Sequence, residues 1–201
     1  MKKQGTALKK AERFEAAGDG LRLVCIGRAL YFLLSLLYLF SFSSKLPRIV
    51  PLVLSGICAV LEFYGLYAAR VSHPGFRRAF WVELIGGIVI SVSVPLSGRW
   101  QSVTLLLLGS LVNLCGVWPL ADAARDLLSQ KGNHTWAKGA DWLRWGYVLK
   151  LVIDIGLVFA SALLKAALPV TVLGIVQRVF GTVLNLYFIL FCFQSSRSLC
   201  S

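Results

Sequence analysis

Acidic residues and histidines are scarce in this chain, and the few present form no catalytic or metal-binding motif. Only 9 of the 201 residues are Asp or Glu, and only 2 are His. There is no HExxH pair, no GxSxG elbow and no acidic cluster at metal-ligand spacing. The sequence therefore predicts no metal, no cofactor and no enzymatic activity. An intramembrane enzyme, the least favoured function, would require Glu62 and Glu83 to face each other as a carboxylate pair.

Cysteine is also used sparingly, at five scattered positions: Cys25, Cys58, Cys115, Cys192 and Cys200. No two of them form a CxxC pair, and their number is odd. This pattern argues against a disulfide framework and against a zinc site, both of which use paired cysteines. We expect these cysteines to be small packing residues, most of them within apolar helices.

Long apolar stretches are what the chain has in abundance. Its hydrophobic content is 57% and its mean hydropathy is +0.74, whereas soluble domains are about 45–50% apolar. A helix of about 20 apolar residues crosses the ~30 Å hydrocarbon core of a bilayer. The sequence predicts an all-α bundle of six transmembrane helices arranged as three helical hairpins. The spans are Leu23–Phe42, Val50–Ala69, Ala79–Leu96, Val103–Leu120, Trp145–Leu164 and Val170–Phe193.

Positive charge is concentrated on one side of the predicted bundle. The net charge is +12, and the inner side, which is the one that carries the N-terminus, holds fourteen Lys and Arg residues against four on the outer side. Basic residues are retained on the cytoplasmic side of membranes. Both termini are therefore predicted to be cytoplasmic, in the cytoplasmic membrane of a bacterium. Topology and anionic lipid headgroups account for the basic residues, so nucleic acid is not an expected partner.

This topology divides the chain into three regions: a basic N-terminal segment (1–22), a transmembrane domain (23–193) and a short cytoplasmic tail (194–201). In the first region, Thr6–Ala17 has the pattern of a short amphipathic helix that begins at Thr6 and ends at Gly18. Such a helix would lie on the membrane surface, and the alternative is a solvated basic tail. The longest loop is predicted at Ala121–Arg144, facing the cytosol. The sequon Asn133-His-Thr135 in this loop would then have no role.

Six ionisable residues lie well inside the predicted spans, and their charges sum to zero: Arg28, Lys150, Arg178, Glu62, Glu83 and Asp154. Charges at this depth are unfavourable and usually face a partner or water. Residues at equal distance from an antiparallel link lie at equal depth. This rule pairs Arg28 with Glu62, Glu83 with Asn113, and Asp154 with Arg178. Glu83 would still need a cation or a proton, and we expect Lys150 to supply the charge.

Polar residues of the fifth and sixth spans are predicted to line a cavity in the cytoplasmic half of the membrane. Helical spacing places Lys150 and Asp154 on one face of the fifth span, and Arg178, Thr182 and Asn185 on one face of the sixth. We therefore expect a small permease-like or solute-binding membrane module whose small-molecule substrate contacts these five residues. The alternative is a non-transporting accessory or scaffold protein. A homo-oligomer or a partner membrane subunit is compatible with both hypotheses.

Overall fold

The computed structural model describes residues 2–39, 49–93, 99–163 and 167–201, and these residues form six α-helices and no strand. Of the links expected between the spans on the outer side, residues 43–48, 97–98 and 165–166 lie outside the described residues, whereas 99–101 are helical and begin α4 and 167–169 are helical and begin α6. Three of the helices contain a segment long and apolar enough to cross a membrane: Ala11–Leu37, Leu107–Gln130 and Thr171–Cys200. The helices are α1 (Lys2–Leu39), α2 (Ile49–Ala69), α3 (Pro74–Ser93), α4 (Arg99–Gln130), α5 (His134–Leu163) and α6 (Ala167–Cys200).

The six helices form a closed ring. Each helix packs against the next one in the chain, and α6 returns to pack against α1, with a smaller contact to α4. Two tight turns connect helices within the described residues, 70–73 between α2 and α3 and 131–133 between α4 and α5. Arg70, Arg77 and Lys131 lie in or next to these turns. We call the end of the ring that carries the two turns the basic end.

Packing differs between the two ends of the ring. The buried apolar core lies mainly at the basic end, where Leu21, Phe76, Leu127, Leu128, Leu143, Phe191 and Leu199 have almost no exposed surface. Toward the other end, large apolar side chains point outward, and Leu33, Val60, Ile88, Phe159 and Val179 are all more than half exposed. An outward apolar surface of this extent marks an interaction with lipid or protein. It fits a membrane protein whose tightly packed part is at the basic end.

The N-terminal segment is part of the ring, and the predicted helix end at Gly18 is wrong. α1 runs without a break through Gly18 and Gly20. Both glycines lie where α1 touches a neighbour: a Cβ on Gly18 would collide with the last turn of α6, and one on Gly20 would lie 2.5 Å from the Gly65 carbonyl oxygen. Phe14 and Leu21 are buried in the core. The segment therefore packs against α2 and α6.

The predicted loop at 121–144 is also wrong, because residues 121–130 extend α4 and residues 134–144 begin α5. Only a tight turn separates the two helices. Gly132 has a φ of +82°, and the Asn133 N–H donates to the Leu128 carbonyl at 2.9 Å, which is the bond of a Schellman motif. Asn133 then caps α5, since its Oδ1 accepts the Trp136 N–H at 3.3 Å.

The residues assigned to a C-terminal tail continue α6 as far as Cys200. The Lys131 ammonium donates to the carbonyl oxygens of Ser198 (3.1 Å) and Leu199 (2.8 Å). A cation in this position stabilises the free carbonyls at a helix C-terminus. The Asn133 amide donates to Ser198 Oγ at 3.0 Å. The end of α6 is thus held by the α4–α5 turn.

Candidate functional site

A close contact between α1 and α2 positions the first charged pair. A Cβ on Gly65 would lie 2.6 Å from the Gly20 carbonyl oxygen, and one on Gly27 would lie 2.8 Å from Glu62 Cγ. Small residues allow helix backbones to approach this closely within a membrane. The approach brings Arg28 Nη2 to 3.3 Å from Glu62 Oε2, which is the contact expected from their equal depth.

This pair lines a cavity of about 300 Å³ enclosed by α1, α2, α3, α4 and α6, which we call the central cavity. Its ionisable residues are Arg28, Glu62 and Glu83. Val24, Leu66 and Leu120 also line it and belong to the buried core of the basic end. The remaining lining residues are Tyr31, Ser55, Ala59, Phe63, Gly87, Gly116, Val117 and Phe188.

Arg28 is held in the central cavity by two contacts but keeps an unused donor. Its guanidinium carbon lies 5.0 Å from the centre of the Phe188 ring, a cation–π distance. Its Nη2 faces Glu62. Its Nε is buried and has no hydrogen-bond partner among the described residues. Because buried donors are nearly always bonded, this N–H marks a place where a ligand or water would be bound.

Glu83 faces the same cavity without a direct partner. Its carboxylate lies over Gly116, where an added Cβ would come 2.5 Å from Glu83 Oε1. Among the described residues no hydrogen bond or ion pair reaches this carboxylate, although it interacts electrostatically with Arg28 and Glu62. The level partner Asn113 instead donates to the Gly109 carbonyl of its own helix at 2.9 Å. With all three groups ionised, the central cavity has a net charge of −1.

Asp154 is the centre of a second polar cluster, formed by three helices. Its carboxylate is fully buried and accepts hydrogen bonds from Ser110 Oγ of α4, Lys150 Nζ of α5 (2.7 Å) and Gln177 Nε2 of α6 (2.8 Å). Lys150 therefore serves Asp154 and not Glu83, contrary to the sequence-based expectation. Arg178, the level partner of Asp154, makes no hydrogen bond or ion pair with it.

Four of the five predicted substrate-binding residues come together in a second cavity between α1, α5 and α6, which we call the lateral groove. They are Lys150, Arg178, Thr182 and Asn185, and the groove has a volume of about 510 Å³. Asp154 is not part of its lining. Arg28 lines both the groove and the central cavity. The predicted residues thus divide between two cavities that share one arginine.

Sequence reasoning missed several residues of these sites. Ser110 and Gln177 complete the shell of Asp154, and Phe188 lies under Arg28, but neither serine nor glutamine stands out in a helix. Glu62 and Glu83 do line one cavity, and the positively charged Arg28 lines it with them. In the part of the chain that the structure describes, no group of three or more His, Cys, Asp or Glu residues could hold a metal ion.

The chain matches no family model, no curated protein and no solved structure. The functional argument therefore depends on the geometry of the two cavities.

Proposed function

We propose that this protein is a small permease-like, solute-binding membrane module with six spans in three hairpins and both termini in the cytoplasm. The central cavity is its binding site, and its substrate is a small solute carrying one positive charge. Glu83 is the counter-charge for that solute, and it accepts a proton when the cavity is empty. The proposal rests on one observation above all, a carboxylate that faces a cavity and has no hydrogen-bond or ion-pair partner among the described residues.

Charge and size both support a small cation. Arg28 offsets only one of the two carboxylates, so a cation of charge +1 would neutralise the central cavity. An uncompensated charge at this depth is unfavourable by about 3 kcal/mol on insertion scales. A volume of about 300 Å³ is at the lower end of the range for ligand pockets. The Phe63 ring in the lining offers an additional surface for a cation.

The buried core favours entry of the solute from the end opposite the basic end. Leu66 and Leu120 are only 3% exposed and lie between the central cavity and the basic end. A solute entering from that end would reach Glu83 past Tyr31 and Ser55, which also line the cavity. With the basic end in the cytoplasm, this is an outward-accessible state. Transport then requires Leu66 and Leu120 to separate.

Cysteine labelling tests the cavity and its charge together. In a background without native cysteines, we expect Ser55→Cys, which faces the cavity, to react faster with a trimethylammonium methanethiosulfonate than with its sulfonate counterpart. The matched control on the same helix is Val60→Cys, whose position is 65% exposed on the outward apolar surface. Because thiols in hydrocarbon rarely ionise, the control should react slowly with both reagents.

Adding Glu83→Gln to Ser55→Cys should abolish the preference for the cationic reagent while labelling persists. If Ser55→Cys reacts as slowly as Val60→Cys, the central cavity is dry, and the accessory or scaffold function becomes the better hypothesis. If the preference survives Glu83→Gln, the cavity is hydrated but Glu83 is not its cation site.

A further inference from the structure

The lateral groove contains three cations, and two of them have carboxylate partners. Arg28 pairs with Glu62, and Lys150 pairs with Asp154. The Arg178 guanidinium has no ion-pair or hydrogen-bond partner among the described residues. Only the backbone carbonyl oxygen of Arg178 is bonded to a side chain, accepting from Thr182 Oγ1 at 2.8 Å. The groove therefore carries one positive charge in excess.

The position of Arg178 makes this excess charge unusual. It lies eleven residues after the start of α6 at Ala167, roughly 16 Å along the helix axis. Its helix neighbours Ile175 and Val179 are 56% and 58% exposed, so this part of α6 faces outward. A guanidinium on a lipid-facing apolar surface is unfavourable unless an anion or water accompanies it.

The lining of the groove combines donors for an anion with walls for an apolar chain. Thr182 and Asn185 supply polar atoms beside Arg178, whereas Lys150 Nζ and Gln177 Nε2 already donate to Asp154. The lining also includes four apolar side chains of α1 and α6, Phe32, Leu36, Val179 and Val183, together with Tyr31, Ser35 and Gly181. Arg28, with its unpartnered buried Nε–H, lines the same space. This arrangement suits a molecule with an oxyanion at one end and a hydrocarbon chain at the other.

We propose that the lateral groove binds an anionic lipid, with the headgroup oxyanion on the Arg178 guanidinium and the acyl chain along Phe32, Leu36 and Val183. The outward apolar surface around the groove opens it toward the bilayer and not toward water, which favours a lipid over a free anion such as phosphate. A planar guanidinium binds phosphate or carboxylate oxygens with two parallel hydrogen bonds. This site shares Arg28 with the central cavity, but the argument for a lipid rests on Arg178 and does not depend on the proposed solute.

Native mass spectrometry of the purified full chain tests this inference. The wild type is titrated in detergent with phosphatidylglycerol and with phosphatidylcholine, which share acyl chains and differ in headgroup charge. We expect tighter retention of phosphatidylglycerol by roughly tenfold, the size of one charge-assisted interaction. Equal retention of the two lipids by the wild type would overturn the proposal, even without any variant.

Two variants locate the site. Arg178→Gln should remove the preference, whereas the matched control Arg197→Gln, which removes the same charge from the last turn of the same helix, should retain it. Gly181→Leu fills the groove without removing a charge, and a Cβ there has space, because the nearest atom is Lys150 Cε at 3.9 Å. It should also lower phosphatidylglycerol retention. Unchanged retention in either groove variant would place the lipid elsewhere.

Two further results would also reject the lipid. Displacement of phosphatidylglycerol by millimolar inorganic phosphate would identify a site for free anions. Loss of a dimer in Arg178→Gln, with no lipid bound to the wild type, would show that a carboxylate of a second copy occupies the groove. Thermal unfolding of each variant, followed by circular dichroism, confirms that the comparisons are made on folded protein.

Discussion

Replacing Gly65 by alanine should separate α1 from α2 and weaken the whole ring. The added Cβ would lie 2.6 Å from the Gly20 carbonyl oxygen and 2.8 Å from the Val24 nitrogen, both of them backbone atoms of α1. Ordinary van der Waals contact begins near 3.4 Å, so α1 would have to move by roughly 0.8 Å, which is overpacking of the kind that costs about 1–3 kcal/mol. Alanine's better helix propensity offsets about 1 kcal/mol of this at most.

The same helix provides the control. Gly56 has no atom within 4 Å of an added Cβ, so Gly56→Ala gains the propensity without the collision. We expect Gly56→Ala to be neutral or up to about 1 kcal/mol more stable. Unfolding in detergent, by heat or by titration with a denaturing detergent, should therefore separate the two variants by about 1–3 kcal/mol.

The displacement has a second consequence, which a stability measurement alone would not show. Moving α1 away from α2 by a similar amount would lengthen the 3.3 Å contact between Arg28 and Glu62 to about 4 Å, which weakens their attraction. Gly65→Ala should then also change the reactivity of a cysteine placed at Ser55 in the central cavity. If Gly65→Ala is as stable as Gly56→Ala, the two backbones are not in contact and the packing argument fails.

Two other predictions concern the buried charges. Arg28→Ala or Glu62→Ala should destabilise the protein by about 3–5 kcal/mol, because each leaves an unpaired buried charge. The double variant Arg28→Glu with Glu62→Arg should recover part of this loss in thermal unfolding. A purely additive loss in the double variant would refute the pair. Asp154→Asn should lower the stability by a similar amount, since Lys150 loses its carboxylate partner, and adding Lys150→Met should restore much of that stability. An Asp154→Asn protein as stable as the wild type would show that this cluster does not hold α4, α5 and α6 together.

The apolar blocks predicted the number and position of the helices but not their ends. Hydropathy reports membrane depth, whereas the basic end of the ring is packed by helices with a polar outer face. Leu120, Ala124, Leu127 and Leu128 are spaced by three and four residues and are all buried, a stripe that the sequence already contains. Charged neighbours lower the mean hydropathy of this region and hide the stripe.

Glycine was the other source of error, because it has two opposite uses. Gly132 ends α4 with a positive φ, as glycine does at a helix C-terminus. Gly18 and Gly20 do the reverse: they continue α1 and allow it to touch α6 and α2. Both uses depend on the missing Cβ. A single sequence therefore does not distinguish a helix end from a close helix crossing without knowing what lies opposite.

Equal depth along antiparallel helices predicted one charged pair correctly and another wrongly. Equal depth placed Arg28 beside Glu62 correctly, since the glycine contact also turns these two residues toward each other. It did not place Lys150, because depth says nothing about rotation around a helix axis. Lys150 and Asp154 are four residues apart in α5 and bond each other, as side chains at this spacing commonly do. Lys150 therefore pairs with Asp154 and not with Glu83, which interacts with Arg28 only at a distance.

Because of this pairing, each of the two cavities has a net charge although the six charges sum to zero. The six charges predicted to lie at membrane depth sum to zero along the chain, yet the Lys150–Asp154 pair and the Arg28–Glu62 pair account for four of them. Glu83 remains in the central cavity and Arg178 in the lateral groove. If pairing within the fold were the only purpose, these two opposite charges would be expected to meet. That they face different cavities is the reason to assign a cationic ligand to one and an anionic ligand to the other.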